Sequence, residues 1–250
     1  MDITILLYVL VGFIAQVIDG ALGMAYGVSS NTFLLSVGIP PAAASASVHM
    51  AEVVTTAVSG ISHWRLGNID WNLVKRLLIP GVIGGVAGAY LLTSIDGNII
   101  KPYISAYLLI MGIIILVKAF NQKERKGAGE YTARVSALGL VGGFFDSIGG
   151  GGWGPVVTTT LVARGKNPRL TIGSVNFSEF FVTLAESVTF VLTLSFSQYW
   201  QIILGLLIGG AIAAPLAARM TKLLPVKALM IMVGTLIIIL SIRTIYLTLA

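Results

Sequence analysis

Apolar residues run in long, nearly uninterrupted blocks along most of the chain, and short polar or glycine-rich connections separate the blocks. Blocks of this kind predict helices that cross or enter a membrane, because a helix needs about 20 residues to span roughly 30 Å of hydrocarbon. The first series of five blocks occupies residues 3–18, 24–37, 42–63, 77–93 and 102–120, and the second occupies residues 135–145, 155–163, 169–196, 200–218 and 226–247. The pattern therefore predicts an all-α integral membrane protein.

The first two blocks of each series fall short of the length that a full span needs. Short apolar blocks that follow one another closely predict either the two half-helices of a re-entrant hairpin or strongly tilted full spans. The sequence leaves both interpretations open. The third block of each series is long enough to cross, although it carries polar side chains and a glutamate.

The clearest interruption lies between the short blocks of the second half, where residues 146–155 read Asp-Ser-Ile-Gly-Gly-Gly-Gly-Trp-Gly-Pro. Glycine costs about 1 kcal/mol and proline about 3 kcal/mol relative to alanine in a helix, so this stretch predicts a helix break. A break at membrane depth is tolerated only where protein or a water-filled cavity surrounds it, which makes the stretch a candidate site. A weaker copy lies 127 residues earlier, in which Asp19, Gly23, Tyr26 and Gly27 correspond to Asp146, Gly150, Trp153 and Gly154.

A second pair of motifs has the same offset. Residues 47–52, Ser-Val-His-Met-Ala-Glu, correspond to residues 174–179, Ser-Val-Asn-Phe-Ser-Glu. Two motifs in one register indicate a duplicated chain. We therefore predict a first membrane repeat at residues 1–120, a linker at residues 121–134 and a second membrane repeat at residues 135–250.

The basic residues indicate how the repeats are oriented. If the linker is cytoplasmic, fourteen of the sixteen lysines and arginines fall on the cytoplasmic side, and only Lys101 and Arg243 lie outside. This arrangement places both termini outside and requires the two repeats to insert in opposite directions. Opposed repeats with interrupted segments at equivalent positions are typical of secondary transporters, whose substrate site lies near the middle of the membrane.

The breaks favour an anionic ligand, because the second half-helix begins at the break with unpaired N–H groups and the positive end of its dipole. Glycines let a ligand reach the backbone, and Tyr26 and Trp153 could form the walls of the pocket. His49 and Asn176 occupy equivalent positions in the two repeats and could add polar contacts. The candidate substrate contacts are Gly23, Tyr26, Gly27, His49, Gly149, Gly150, Gly151, Gly152, Trp153, Gly154 and Asn176.

Five acidic residues are candidates for proton coupling or for a structural role. Asp19 and Asp146 precede the breaks, where a carboxylate can cap the next helix. Glu52 and Glu179 lie about ten residues, or roughly 15 Å, into their segments, and a carboxyl at that depth by default marks a functional site. Glu186 follows Glu179 by two helical turns on the same face. Burial favours the protonated form of such groups, but the same residues could serve as hydrogen-bonded supports for the broken backbones.

Composition narrows the function further. Hydrophobic residues make up 56% of the chain, charged residues 10%, and the mean hydropathy is +0.93. The net charge of +6 is explained by basic residues that flank membrane segments, so nucleic acid is not an expected partner. The absence of cysteine and the presence of only two histidines argue against a metal centre. Without a phosphate-binding loop, a hydrolase elbow or a metalloprotease motif, we expect neither an enzyme nor a cofactor.

The chain resembles the TauE/SafE family of sulfite exporters and related permeases, also called the toluene-sulfonate-uptake permease family. The resemblance is carried by residues 146–155, by their counterpart at residues 19–27 and by the glycine-rich residues 80–88. The first copy departs from the pattern, since it lacks the glycine run and has Val28 where the second has Pro155. The resemblance implies a carrier of sulfite, sulfonates or similar sulfur-containing anions, and it fixes neither the substrate nor the direction.

Taken together, these expectations describe a secondary transporter of the cell (inner) membrane. We expect it to export a small sulfur-containing anion by alternating access, with coupling to protons. An anion or ion channel is the alternative, because the sequence does not exclude a continuous wetted pore. The expected partners are the anion and membrane lipid, and homo-oligomerisation is left open.

Overall fold

The computed structural model describes residues 3–22, 24–120, 133–163, 168–195, 199–220 and 226–249. These residues form ten α-helices and one π-helical segment and contain no β-strand. The elements are α1 (Ile3–Leu22), α2 (Tyr26–Ser36), α3 (Pro41–Arg65), α4 (Trp71–Ser94), α5 (Gly97–Phe120), α6 (Ala133–Gly149), the π-helical segment (Trp153–Thr158), α7 (Thr159–Ala163), α8 (Pro168–Thr193), α9 (Trp200–Met220) and α10 (Val226–Leu249). Most of the predicted linker, residues 121–132, lies outside the described residues.

Four helices are long and apolar enough to cross a membrane. They span Trp71–Ser94, Gly97–Phe120, Arg169–Thr193 and Lys227–Leu249, and shorter apolar helices occupy Thr4–Asp19 and Trp200–Ala213. Many large apolar side chains on these helices are exposed at the surface of the bundle, as a hydrocarbon environment requires. The prediction of an all-α integral membrane protein is confirmed.

The fourth helix begins earlier than the sequence predicts. We expected an apolar segment from residue 77, but α4 begins at Trp71 because Asp70 caps it. The Asp70 carboxylate accepts hydrogen bonds from the backbone N–H groups of Asn72 (2.9 Å) and Leu73 (3.3 Å). A capped polar turn therefore precedes the apolar part of the helix.

The second helix break is narrower than expected. The predicted interruption began at Asp146, but α6 continues to Gly149 and only residues 150–152 separate it from the π-helical segment. Gly150 has a φ of 68°, a conformation that ends helices and that side chains with a Cβ rarely adopt. Pro155 lies in the first turn of the following segment, where its missing N–H costs little.

The two halves of the chain pack against each other in exchanged pairs. The first helix of each half packs along the fourth helix of the other, so that α1 contacts α9 and α6 contacts α4. The fifth helices, α5 and α10, pack together, and α3 packs on α8. Glycines allow the close approach of the exchanged pairs, since an added Cβ would lie 2.0 Å from the Leu140 carbonyl oxygen at Gly84 and 2.0 Å from the Val9 carbonyl oxygen at Gly209.

Candidate functional site

The two helix breaks lie in contact at the centre of the bundle. A Cβ added to Gly27 would lie 2.2 Å from the carbonyl oxygen of Gly150, and one added to Gly154 would lie 2.6 Å from the Cα of Met24. Only glycine at these positions allows the two backbones to come so close. The sequence reasoning expected the breaks to meet, and the structure brings them together around Gly27 and Gly150.

Each break is capped by the aspartate that precedes it. The Oδ1 atom of Asp19 accepts hydrogen bonds from the N–H groups of Ala25 (2.8 Å) and Tyr26 (3.2 Å). The Oδ1 atom of Asp146 accepts hydrogen bonds from Gly152 (3.1 Å) and Trp153 (3.0 Å), the residues that follow by the same intervals. The carboxylates thus take up some of the helix N-terminal N–H groups that we expected to bind a substrate anion.

A buried cluster of one histidine and two acids lies beside the second break. The Nε2 atom of His49, on α3, is 3.0 Å from Oε2 of Glu186, on α8, and 3.8 Å from Oδ2 of Asp146. His49 and Glu186 are fully buried, and Asp146 is 4% exposed. A carboxyl group with so little access to water is costly unless it is paired or protonated.

The hydrogen bonds of His49 indicate where its protons lie. Its Nδ1 atom is 2.7 Å from the carbonyl oxygen of Ser45, which can only accept, so Nδ1 carries a proton. The Ser45 hydroxyl, 3.2 Å from Nδ1, donates to the carbonyl oxygen of Ser147 and ties α3 to the end of α6. The Nε2 atom faces the Glu186 carboxyl without a hydrogen bond of good geometry, and the two groups form an ion pair if the histidine is protonated.

The other acids surround this cluster. Glu52 is buried and Glu179 is partly buried, and both interact electrostatically with Asp19, Asp146 and Glu186. Of the five candidate acids, Glu186 and Asp146 lie within 4 Å of the histidine. Gly85 on α4 makes room for the cluster, because a Cβ there would lie 2.4 Å from Oε1 of Glu186.

Asn176 is not beside the histidine cluster. Its Nδ2 atom donates to the hydroxyl of Ser59 at 2.9 Å, and Ser59 lies ten residues, or about 15 Å, along α3 from His49. The positions in this contact are the counterparts of His49 and Glu186, since each differs from its equivalent by 127 residues. The same packing position thus holds an ionisable pair on one side of the fold and a neutral pair on the other.

The aromatic residues at the breaks bind other helices instead of lining an open pocket. The Tyr26 hydroxyl donates to the carbonyl oxygen of Leu206 at 3.1 Å, and the Trp153 indole donates to that of Val175 at 3.0 Å. Both side chains are almost completely buried. Their hydrogen bonds hold the short helices against α9 and α8.

Three of the remaining predicted glycines pack directly against other parts of the protein. A Cβ at Gly149 would lie 2.7 Å from the Tyr107 ring, and one at Gly151 would lie 2.5 Å from Cγ2 of Val28. A Cβ at Gly152 would lie 1.9 Å from the carbonyl oxygen of Gly142. These positions are packed by protein. Gly23 lies outside the described residues.

Sequence reasoning missed several polar groups near the breaks. Lys118 was assigned to the basic flank of the linker, but its Nζ atom donates to the Pro155 carbonyl oxygen (3.3 Å) and to the Thr159 hydroxyl. Asn31 and Thr158 are buried without a hydrogen-bond partner for their side chains, and they too lie 127 residues apart. Both short blocks carry a polar residue at this position, and a comparison of the two blocks could have pointed to Asn31 and Thr158.

The cluster also has the composition of a cation site. One donor atom each from His49, Asp146 and Glu186 lie within 4.8 Å of one another. The sequence argument against a metal centre weighed histidine and cysteine and gave no weight to carboxylates from different helices. The Nε2 atom of His49 and both carboxyl oxygens of Glu186 have no hydrogen-bond partner among the described residues, so their 3.0 Å separation is an ion-pair contact.

Comparisons with known proteins agree with this architecture. A family model described as "Sulfite exporter TauE/SafE" matches residues 8–244. The probable membrane transporter protein YtnM of Bacillus subtilis (strain 168) is 43% identical over 246 residues, which cover 96% of this chain and 82% of that protein. The probable membrane transporter protein YdhB of the same organism is 25% identical over 228 residues, 88% of each chain.

A probable membrane transporter protein of Haemophilus influenzae is 25% identical over 212 residues, which cover 84% of this chain and 82% of that protein. No solved structure matches the chain. Because the family model covers nearly the whole sequence and the similarity to YtnM extends over almost all of it, the chain belongs to the TauE/SafE sulfite exporter family of membrane transporters.

Proposed function

We propose that this protein is a proton-coupled secondary carrier that exports a small sulfur-containing anion, sulfite or an organosulfonate, across the cell (inner) membrane. Export and sulfite follow the description of the family model, and organosulfonates follow the family resemblance of the sequence. The coupling rests on the site, and the single observation that carries it is the buried contact between His49 and Glu186 beside the break.

The repeats form part of this proposal. Two repeats, residues 1–120 and 135–250, insert in opposite directions on either side of a cytoplasmic linker, residues 121–134, and both termini lie outside. The equal spacing of the aspartate caps and the exchanged packing of α1 on α9 and of α6 on α4 support this assignment. Rocking of one repeat against the other would expose the breaks to each side in turn.

The caps suggest how proton and anion binding are linked. An ionised Asp146 accepts hydrogen bonds from the N–H groups of Gly152 and Trp153, and the same N–H groups could donate to a bound anion. A protonated carboxyl is a weaker acceptor and carries no charge to repel an anion, so protonation would release these groups to the substrate. Asp19 would act in the same way at the first break, and the His49–Glu186 pair would supply or remove the proton.

The carrier proposal is supported over a channel by the contact between Gly27 and Gly150. Backbones that touch at the centre leave no wide aqueous path between them, whereas conduction needs a continuous pore. A carrier with this packing must change conformation in each cycle. Its flux should saturate with substrate and should not reach the rates of a channel.

The test is sulfite flux into proteoliposomes under an imposed pH gradient, with sulfate and an organosulfonate as competitors. Wild-type flux should depend on the gradient, and Glu186→Gln should lose this dependence, because an amide keeps a polar contact with His49 but cannot exchange the proton. Glu179→Gln tests the second buried acid in the same way. Asp96→Asn is the matched control, since Asp96 is an exposed carboxylate that caps α5 and asparagine is also a good cap.

Three outcomes would decide against parts of the proposal. Flux through Glu186→Gln that still follows the pH gradient would exclude coupling through this pair. Flux that disappears with EDTA and returns with a divalent cation would show that the cluster binds metal. If no sulfur-containing anion moves, the substrate assignment is wrong.

A further inference from the structure

A cavity of about 260 Å³ lies at the end of the bundle where α2 ends, α5 begins and α10 approaches its end. Its lining includes two basic residues, Lys101 and Arg243, two hydroxyl residues, Ser36 and Thr244, and the apolar side chains of Val37 and Leu247. Ligand pockets for drug-sized molecules begin at roughly 300 Å³, so a cavity of this size suits a small organic molecule.

The charge of the cavity is unbalanced. Among the described residues, no carboxylate lies within ion-pair distance of Lys101 or Arg243. Asp96, the acid nearest to Lys101 in the sequence, accepts a hydrogen bond from the N–H of Asn98 at the start of α5. Arg243 donates one hydrogen bond to the carbonyl oxygen of Ser36 and keeps further N–H groups. These two residues are the same two that the distribution of basic residues separated from the other fourteen.

The polar and apolar parts of the lining indicate which anion would fit. The hydroxyls of Ser36 and Thr244 donate to the carbonyl oxygens of Phe33 and Leu240, so the cations supply the donors for a ligand. Val37 is 46% exposed and Leu247 is 58% exposed, and they provide an apolar wall. An inorganic oxyanion such as sulfite makes no use of an apolar wall, whereas an anion with a short hydrocarbon tail does.

The helix α2 runs from the central site to the cavity. Ser36 lies at its end and Gly27 at its start, nine residues or about 14 Å away. Asn31, which is buried without a hydrogen-bond partner for its side chain, lies between them. The breaks and the cavity thus lie at opposite ends of one short helix.

We propose that this cavity is a second anion-binding subsite, in which Lys101 and Arg243 bind the sulfonate group of an organosulfonate and Val37 and Leu247 cover its hydrocarbon tail. The proposal rests on the proposed transport function, and it deepens it by naming organosulfonates as the preferred substrate class. The subsite holds the substrate at the face of the membrane opposite the linker.

An anionic phospholipid presents the same chemistry, an oxyanion next to a hydrocarbon tail. The test therefore uses purified protein in phosphatidylcholine nanodiscs, with a second set that contains phosphatidylglycerol. Binding of methanesulfonate, 1-butanesulfonate and sulfite is measured by titration calorimetry. The variants are Lys101→Gln, Arg243→Gln and Leu247→Ala, and Lys75→Gln is the control because Lys75 is exposed at the start of α4, near the opposite end of the bundle.

Butanesulfonate should bind at least tenfold more tightly than methanesulfonate, because each methylene that is buried contributes about fourfold. Lys101→Gln and Arg243→Gln should each weaken both sulfonates about tenfold, and Lys75→Gln should have no effect. Leu247→Ala should reduce the preference for butanesulfonate and leave methanesulfonate unchanged, an effect that a merely structural role would not produce. Since Arg243 also holds the end of α2, Lys101→Gln and Leu247→Ala keep the test valid if Arg243→Gln does not fold.

Equal affinity for the two sulfonates, or unchanged binding by Lys101→Gln, would overturn the subsite. Loss of butanesulfonate binding in phosphatidylglycerol nanodiscs would overturn it in favour of a lipid site. Transport of butanesulfonate with the same KM in wild type and Lys101→Gln would reject the subsite and leave the proposed transport function intact. If no sulfur-containing anion is transported, the proposed function is wrong, and the binding data alone decide whether the cavity is an anion site.

Discussion

The contact between the two breaks makes Gly27→Ala a sharp test of the architecture. The added Cβ would lie 2.2 Å from the Gly150 carbonyl oxygen, and carbon and oxygen atoms in contact normally lie about 3.3–3.6 Å apart. The two backbones would have to separate by roughly 1 Å. Neither atom belongs to a flexible side chain, so the strain cannot be relieved by a change of rotamer.

Overpacking of a well-packed interior costs about 1–3 kcal/mol, and we expect Gly27→Ala to lie near 3 kcal/mol because backbone must move. In a protein of 150–250 residues each kcal/mol lowers Tm by about 2–4 °C, which gives a decrease of about 6–12 °C. The assay is thermal unfolding in detergent, followed by tryptophan fluorescence, together with sulfite flux. Gly97→Ala is the control, since the nearest atom to its added Cβ is Cδ of Pro41 at 3.3 Å.

The expected result is a large loss of stability and flux in Gly27→Ala and a change of less than about 0.5 kcal/mol in Gly97→Ala, which is the usual size of an effect away from special features. A Gly27→Ala protein with the Tm and flux of the wild type would refute the claim that the breaks are in contact. A loss of flux with an unchanged Tm would place the effect in the transport cycle instead of the fold.

Three further substitutions test the surroundings of the site. Trp153→Phe should cost about 0.5–1.5 kcal/mol in unfolding measurements, because the indole hydrogen bond to the Val175 carbonyl oxygen is lost, and an unchanged Tm would show that this hydrogen bond is not needed. Asp19→Ala should lower the free energy of unfolding by about 0.5–2 kcal/mol, because only the cap is lost. Asp146→Ala should lower it further, because the contact with His49 is lost as well, and equal losses would argue against that contact. Gly85→Ala should displace the carboxyl of Glu186 and abolish the pH dependence of flux at wild-type expression, and retained pH dependence would contradict the packing.

Much of the fold could be predicted from the sequence because membrane helices are long and apolar and glycine runs interrupt them. The third segment, predicted at residues 42–63, is observed as Pro41–Arg65, and the fifth, predicted at residues 102–120, as Gly97–Phe120. The early start of α5 was missed because its first turns carry polar residues and Pro102, which hydropathy alone assigns to a loop. Pro102 is the sixth residue of α5, so the helix continues past it without the backbone hydrogen bond that another residue would donate to the carbonyl oxygen of Asn98.

The site was harder to predict because its contacts join distant parts of the chain. The sequence placed His49 next to Glu52, three residues away on the same helix, but the histidine pairs with Glu186 on α8. No periodicity within α3 carries information about that partner. The role of Lys118 was missed for the same reason, since its partners, the Pro155 carbonyl oxygen and the Thr159 hydroxyl, lie in another part of the chain.

The two breaks are capped in the same way, but the site beside them is asymmetric. The aspartate caps occur twice with identical spacing, because both broken helices need their first N–H groups satisfied. The ionisable pair of His49 and Glu186 occurs once, and its counterpart is a neutral contact between Asn176 and a serine. The centre formed by His49, Glu186 and Asp146 carries a net negative charge if both acids are ionised, and such a charge repels an anion. In the proposed carrier, protonation of these carboxyls would lower that repulsion, and this charge argument supports the proposed link between the movement of the anion and the movement of protons.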